Sequence, residues 1–459
     1  MTYQTIDLEK LFDIIIVGAG AAGLAAAIQA KDEGASPVIF EKMPAVRGNT
    51  IKSSAGMNAS ETSFQLDQGI TDSNELFYAE TLIGGNKTND QELLQYFVKQ
   101  SAGAIDWLDS LGISLSNITT TGGMSVRRTH RPADGSAIGG YLVKRLMKNI
   151  EERHIPIVLN ADVQRLVLDK GVVTGVEVVI EGMTSQIVKS RTVIVTTGGF
   201  GFNREMLNKI APQTAHFITT NHEGSMGDGI QMIQAVGGDV RDLDQIQIHP
   251  TVHQESGFLM TEAIRGEGAV LVSSKGERFI NELDRRDVVS KAVMDLTDHC
   301  AYLIFDEHLK QRVPAVGFYQ SKQMVLTADT LADLAGLLGM QEDTLKDTIY
   351  KWNESVREQK DRQFARQTGM DHPLNLSPYH AIKIAPGIHH TMGGVIINKD
   401  TQVLKPNGQN IPGLYAAGET VGGLHGQNRI GGNAIAETIV FGRQAGKQAA
   451  QFSSKGLPE

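Results

Sequence analysis

FDIIIVGAGAAG, residues Phe12 to Gly23, decides the fold. Phe12 to Val17 is a short apolar run rich in isoleucine and bounded by glycine, the pattern of a strand buried on both faces of a parallel sheet. The next stretch, LAAAIQAKDEG, reads as a helix with its stop at Gly34, and Pro37 to Phe40 reads as a second strand ending at Glu41. Together these form one βαβ unit. The three glycines Gly18, Gly20 and Gly23 supply a tight turn, room for a pyrophosphate to touch the backbone, and close packing of helix on strand. The amino terminus of the helix attracts phosphate. Glu41 stands 23 residues after Gly18, where a carboxylate accepts hydrogen bonds from a ribose. A dinucleotide therefore belongs here, and this motif leaves FAD and NAD both open.

The rest of the composition sets limits. At 459 residues the chain has room for two or three domains of roughly 150 residues and a large core. Lys and Arg number 43 against 52 Asp and Glu, a net charge of -9, so nucleic acid or an anionic membrane would be repelled on average. No nucleic-acid partner is expected. The single cysteine, Cys300, excludes an internal disulfide, a CxxC redox pair and a CxxCH haem site. Thirteen histidines include no HExxH and no Cys/His cluster, so no metal site is expected. The opening MTYQTIDLEKLFD is acidic where a signal peptide would be basic and then apolar, and no apolar run approaches about 18 residues. A cytoplasmic protein without membrane insertion is the expectation.

Distant elements choose between the two dinucleotides. Ile411 to Glu419 (IPGLYAAGE) is a short apolar strand running into Gly418 and Glu419. In FAD enzymes of the Rossmann type such a late strand returns to the first sheet, and its acid meets the middle of the dinucleotide. Between the two ends, Val163 to Val195 reads as a meander of short β runs with turns at Lys170-Gly171 and Glu181-Gly182, closing with RTVIVTTGG. This meander is also expected over the nucleotide of an FAD fold.

Several ordered motifs resemble the flavoprotein subunits of soluble fumarate reductases, with succinate dehydrogenase more distant. They are GAGAAGLAAAIQA, GDGIQMIQAVGGDV, HPT at His249 to Thr251, LMTEAIRGEGAVLVSSKGERFINE, RRDVVS, HHTMGGV and GLHGQNRIGGNAIAE. The resemblance runs from about Phe12 to about Ser453 and implies an α/β architecture: a Rossmann-type FAD-binding domain with an inserted α+β clamp, or capping, domain. Carried onto this chain, residues 1–243 and 390–459 would form the FAD domain and 244–389 the clamp, closing over substrate and excluding water. FAD contacts are implied at Gly18, Gly20, Ala22, Gly23, Glu41 and Lys42, and at Asn49, Thr50, Ser54, Gly56 and Met57. Further contacts are implied at Val163, Thr197, Gly198, Asp228, His390, Gly418, Glu419, Gly432, Ala434 and Ile435. Covalent members attach the flavin through a histidine in an SHT-like segment, and the matching stretch here is Gly48-Asn49-Thr50. Asparagine cannot form that bond, so non-covalent FAD is implied. Haem-bearing soluble members have a methionine two residues before the TE pair, where this chain has Leu259, as membrane-complex reductases do.

Reducing an alkene flanked by carboxylates needs donors on a carboxylate, a hydride from flavin N5 and a proton for the neighbouring carbon. His249, Thr261, His389 and Arg429 resemble the family's substrate-holding residues, and an Arg fork with imidazole and hydroxyl donors suits a dicarboxylate. Arg286 matches the family's proton-donating arginine. A guanidinium stays charged in proteins, so it can act as an acid only if it is re-protonated. Glu262 and Arg265 resemble the family's relay to it. Spacing alone favours an ordinary ion pair of Arg286 with Asp287 or Glu282, and only the surrounding motifs favour the catalytic part. The helix beginning at Gly432 and Asn433 could place its positive end at the flavin pyrimidine ring. RRTHRP, Arg127 to Pro132, reads as a basic surface loop with no catalytic part.

The implied activity is reduction of fumarate to succinate by an unidentified electron donor. Two alternatives stand beside it: another unsaturated carboxylate such as urocanate, and an electron-transfer subunit with no substrate of its own. The direction of the reaction in the cell and the oligomeric state are not written in these motifs.

Overall fold

The structure is a computed structural model that describes residues 7–214 and 217–455; the start of the acidic opening, residues 1–6, lies outside them. The chain divides into two compact units. One comprises Met1–Ala215, Asn221–Gln247 and His390–Glu459, and the other His216–Thr220 and Ile248–His389.

The first unit is organised by the opening strand, β1 (Phe12–Val17), in which Ile14, Ile15 and Ile16 are wholly buried. It pairs in parallel with β2 (Pro37–Phe40) on one side and with Gln186–Val195 on the other. Beyond β2 lies Ile157–Val158. Beyond Gln186–Val195 comes Asn410–Ala416, also parallel, and then Gln402–Leu404, antiparallel. The late strand thus enters the first sheet, as its apolar run into Gly418 and Glu419 implied. Gln186–Val195 serves two sheets at once. Its second half pairs with β1, and its first half pairs antiparallel with Val172–Ile180, which in turn pairs with Ala161–Asp169. Both turns of this meander carry left-handed residues at the expected places, Lys170 (φ 49°) with Gly171 (φ 84°), and Gly182 (φ 77°).

Helix α1 (Ala21–Asp32) is apolar around nearly its whole circumference, so it must be covered on all sides. The carboxy-terminal helix, Asn433–Ser454, covers it at very short range. A Cβ at Gly442 would lie 2.6 Å from the Ala22 carbonyl oxygen, and one at Gly446 2.2 Å from that of Ala26. Two glycines within a helix cost about 0.5–1 kcal/mol each in backbone entropy. Here they let two backbones touch and so hold the chain's two ends together.

A small sheet of Met57–Asn58, Asn117–Thr119 and Thr129–Arg131 completes this unit. It corrects the reading of RRTHRP as a surface charge run. Arg128 and His130 are fully buried. Arg128 makes a two-bond contact with Asp72 (3.0 and 2.6 Å), donates to Glu80 (2.6 Å) and lies over the Phe77 ring. Its acidic partners are 56 and 48 residues away in sequence, so the local run looked uncompensated.

In the second unit the antiparallel strands Val270–Val272, Ala301–Asp306 and Tyr379–Thr391 form the core of a six-stranded sheet. Strand alternation divides their side chains between two layers. Leu271, Leu303, Phe305, Ile382 and Ile384 pack with residues of the helices Arg286–Met294, Glu307–Arg312 and Ala315–Ser321. Val270, Val272, Ile304 and Ala381 pack with Leu334, Leu345 and Trp352 of Leu331–Leu338 and Glu342–Glu358. Among the described residues, no helix is long and apolar enough to cross a membrane.

Candidate active site

The glycine turn after β1 is shaped for a ligand. Gly18 has φ 103°, and a Cβ there would lie 2.7 Å from the Thr196 carbonyl oxygen. At Gly23 a Cβ would meet the Gly18 oxygen at 2.0 Å, which is the close helix-to-strand packing the motif requires. Gly20 differs, since a Cβ there would meet nothing within 4 Å. Gly20 is also the residue that opens α1, and as its amino-terminal cap it has no side chain to bond the helix amides. The Ala21 amide is held by Thr50, and the rest of the first turn stands beside the open space at Gly20, as phosphate binding requires. Glu41 closes the turn, its carboxylate accepting from the amides of Ala19 (2.8 Å) and Met43 (2.9 Å), and burial pushes its pKa up.

The remaining residues implied for the cofactor fall into the same unit. Thr50 Oγ1 accepts from the Ala21 amide at 3.2 Å, and Ala22 lies in the first turn of α1. Lys42 pairs with Asp228, which begins the helix Asp228–Ala235. Asn49 is fully engaged: Nδ2 donates to Asn221 (2.7 Å) and Glu419 (3.3 Å), and Oδ1 accepts from the His222 amide (2.7 Å). Ser54, Gly56 and Met57 follow, with the Ser54 carbonyl held by Arg131 at 3.0 Å and Met57 in the small sheet. Val163 is buried in the meander. Thr197 lies 3.4 Å from the Thr420 hydroxyl, and Gly198 has φ 78° with open space at its Cβ position. Gly418 has φ 77°, and Glu419 accepts from the Thr391 amide at 3.0 Å with its pKa pushed up by burial. His390 Nδ1 is 3.5 Å from Glu419. Gly432, Ala434 and Ile435 open the carboxy-terminal helix, which like α1 has no side-chain cap. Two glycine-capped helix starts and two glycines facing open space fit a dinucleotide with a flavin at one end.

The implied substrate residue Arg429 belongs to this unit as well. It is buried, and Nη2 donates to Gln247 Oε1 at 2.9 Å while Gln247 Nε2 donates back to the Arg429 carbonyl at 2.7 Å. Motif spacing missed Gln247. It also missed His425 and Glu437, bonded to each other at 2.9 Å; with His390 they bring three potential metal-ligand atoms within 4.8 Å of one another, although no metal site was expected.

In the second unit, Glu262 is the hub. It begins the short helix Glu262–Gly266, with Thr261 as its amino-terminal cap accepting from the Ala263 amide at 3.4 Å. Arg286, the first residue of Arg286–Met294, donates from Nε to Glu262 Oε1 at 2.6 Å. Arg265 Nη2 lies 3.6 Å from the same oxygen and His249 Nε2 3.7 Å from it. Burial pushes the Glu262 carboxyl up, yet the Arg286 charge, His249 and the Arg265 charge outweigh this and hold it well below the usual range. It is an anion between two guanidinium groups. His249 lies on the buried strand Ile246–Val252, where desolvation lowers its pKa to about 3 and keeps it neutral. Its ring meets that of His389 edge-on at 5.4 Å, and His389 Nδ1 is bonded to Thr220 at 2.9 Å.

The ordinary ion pairs that spacing allowed for Arg286 are taken by other residues. Arg285 binds Asp287 at 3.1 and 2.5 Å. Glu282 receives Arg278 at 2.8 and 2.9 Å and Arg366 at 3.0 Å, deep in the unit. Arg265 is tied to this buried network because its Nη1 donates to the Glu282 carbonyl at 2.6 Å.

The chain is similar to known proteins over most of its length. A family profile described as an FAD binding domain matches residues 13–435. The chain is 50% identical over 442 residues to an NADH:fumarate oxidoreductase of Klebsiella pneumoniae, covering 96% of this chain and 48% of that protein. It thus spans about half the length of that relative. It is 40% identical over 446 residues to the fumarate reductase (cytochrome) of Shewanella frigidimarina, covering 96% of this chain and 78% of that one. The solved open conformation of a flavocytochrome c3 fumarate reductase superposes with a TM-score of 0.86 at 39% identity, over 97% of this chain and 79% of that one.

Proposed function

We propose, on the premise that this chain belongs to the FAD-binding domain family whose profile spans it, that it reduces the carbon–carbon double bond of a small unsaturated dicarboxylate, fumarate above others. FAD, held in the first unit by the glycine-capped start of α1, Glu41 and the Gly418-Glu419 turn, supplies the hydride when bound. Asn49 offers an amide where covalent attachment needs an imidazole, which supports a dissociable flavin.

The observation that carries the reading is the Arg286–Glu262–Arg265 chain, with a 2.6 Å bond at its working end. A passive electron-carrying subunit has no use for it. Arg286 is assigned proton donation to the substrate carbon. It can give up a proton only if a neighbour returns one at once, and Glu262, a carboxylate at rest and bonded to Nε, can do so by taking a proton from the Arg265 side as it hands one to Arg286, so that the proton passes from Arg265 to Glu262 to Arg286. Arg265 keeps the carboxylate ionised between transfers. Arg429, with its planar fork of donors, is assigned one substrate carboxylate. Neutral His249, with His389 and Thr261, is assigned the other. We read the second unit as the capping domain. The electron donor is a partner outside the chemistry of these residues.

The test is an anaerobic screen of unsaturated acids, fumarate and urocanate among them, against dye-reduced protein, scoring dye reoxidation. Acid precipitation should release the flavin into the supernatant as FAD. Fumarate should be turned over fastest. A colourless protein, or reoxidation by urocanate alone, would overturn the assignment.

A further inference from the structure

Apart from Met57, implied for the cofactor, the small sheet of the first unit has no part assigned above, yet Asn58 reaches the turn that carries Arg429. Asn58 is fully buried. Its Nδ2 donates to the Gly431 carbonyl at 2.7 Å and to Asn433 Oδ1 at 2.7 Å, and its Oδ1 accepts from Thr129 Oγ1 at 2.7 Å. A carbonyl can only accept, so Gly431 fixes which way the amide points. The Asn58 backbone amide adds a bond to the Gly432 carbonyl at 3.4 Å. One residue thus grips three consecutive positions, Gly431, Gly432 and Asn433. The fit is tight as well, since a Cβ at Gly432 (φ 87°) would lie 2.4 Å from Asn58 Oδ1.

The basic segment that sequence reading left without a role supports this grip. Thr129 faces Asn58 in strand register. Its neighbour Arg128 is pinned by Asp72 and Glu80, and Arg131 Nη2 holds the Ser54 carbonyl at 3.0 Å. Both ends of the Ser54-to-Asn58 stretch are therefore fixed to one buried strand.

We propose that Asn58, oriented by Thr129, is a positioning residue for the Arg429-to-Asn433 turn. It sets where the Arg429 fork meets a substrate carboxylate and where the carboxy-terminal helix starts beside the flavin. This rests on the reading of Arg429 given under Proposed function. A buried amide that satisfies several backbone and side-chain groups at once defines a turn far more narrowly than apolar packing does, and misplacement by about 1 Å can cost about a hundredfold in rate.

Asn58→Asp keeps the shape and turns a donor into an oxygen that faces the Gly431 carbonyl. Thr129→Val removes only the orienting hydroxyl. With flavin bound, Asn58→Asp should raise KM for fumarate at least tenfold with a smaller fall in kcat, and should lower the flavin midpoint potential by displacing the helix start. Thr129→Val should move both quantities the same way by less, and the double variant should fall short of the product of the two. Val176→Ala, a cavity in the buried meander, is the control for loss of stability and should leave KM and potential in place. Unchanged KM and potential in Thr129→Val and Asn58→Asp would overturn the proposal, as would an equal KM rise in the control. If Asn58→Asp does not fold, Thr129→Val decides alone. If wild-type protein reduces no unsaturated acid, the reading of Arg429 fails, and the flavin potential of the variants still decides for or against Asn58.

Discussion

Glu262→Gln isolates the relay from the architecture around it. Glutamine keeps the length and planarity of the side chain and an oxygen able to accept from Arg286 Nε, where the native bond is 2.6 Å. It cannot take up and return a proton. General acid–base transfer by a placed side chain contributes about 10²–10⁴-fold, so kcat should fall by that factor, about 2.7–5.5 kcal/mol of barrier. KM should change by less than about fivefold, since Glu262 is assigned no substrate contact. Stability should fall by about 1–3 kcal/mol, because the Glu262 side chain is 34% exposed but its partners Arg286 and Arg265 are only 14% and 3% exposed and lose their counter-charge. The assay is anaerobic oxidation of reduced viologen by fumarate at saturating substrate, normalised to bound flavin and run in H2O and D2O. A variant that binds flavin fully and keeps kcat within threefold of wild type would refute the relay. So would a tenfold rise in KM at constant kcat, which would make Glu262 a binding residue.

Two further outcomes concern the scaffold. His130 is buried against Thr62 and the Arg128 carbonyl, and burial lowers its pKa to about 4 against an ordinary 6.5. The unfolded chain therefore binds a proton that the folded chain refuses, and the stability tied to this group is present above pH about 6.5 and lost as pH falls toward about 4. At pH 5 the loss should be about 2 kcal/mol. Its imidazole NMR signal should stay in the neutral form down to about pH 5, and a titration midpoint near 6.5 would contradict the burial. Gly446→Val would drive a Cβ to 2.2 Å from the Ala26 carbonyl oxygen. It should cost at least about 1–3 kcal/mol by overpacking and loosen flavin binding, read by thermal unfolding and flavin release; a wild-type melting temperature would mean the two helices are not so tightly crossed.

What the sequence disclosed follows from the range of the forces involved. The βαβ unit is local: an apolar strand, three glycines with distinct steric duties and a returning strand all lie between Phe12 and Glu41, so each can be read from its neighbours. The meander is likewise local, its turns marked by glycines at positive φ. RRTHRP failed for the opposite reason. A run of cations looks solvated when its counter-charges are out of view, and Asp72 and Glu80 come to Arg128 only through folding.

The same reasoning separates the two arginines at the second unit's hub. In Arg285-Arg286-Asp287 either guanidinium could have taken the adjacent carboxylate, and spacing could not choose. The fold chooses through the direction of Arg286–Met294: Arg285, just outside that helix, takes Asp287 in its first turn, while Arg286 donates to a carboxylate 24 residues back. Glu282, the other candidate, is removed by burial. It already receives Arg278 and Arg366 and the Leu271 amide, and a third guanidinium would have no lone pair in good geometry to use. Arg286 is thereby available to Glu262, whose side chain is still partly open. An ion pair is thus made available for chemistry by the saturation of its competitors, a property of the whole unit that no motif around Arg286 contains.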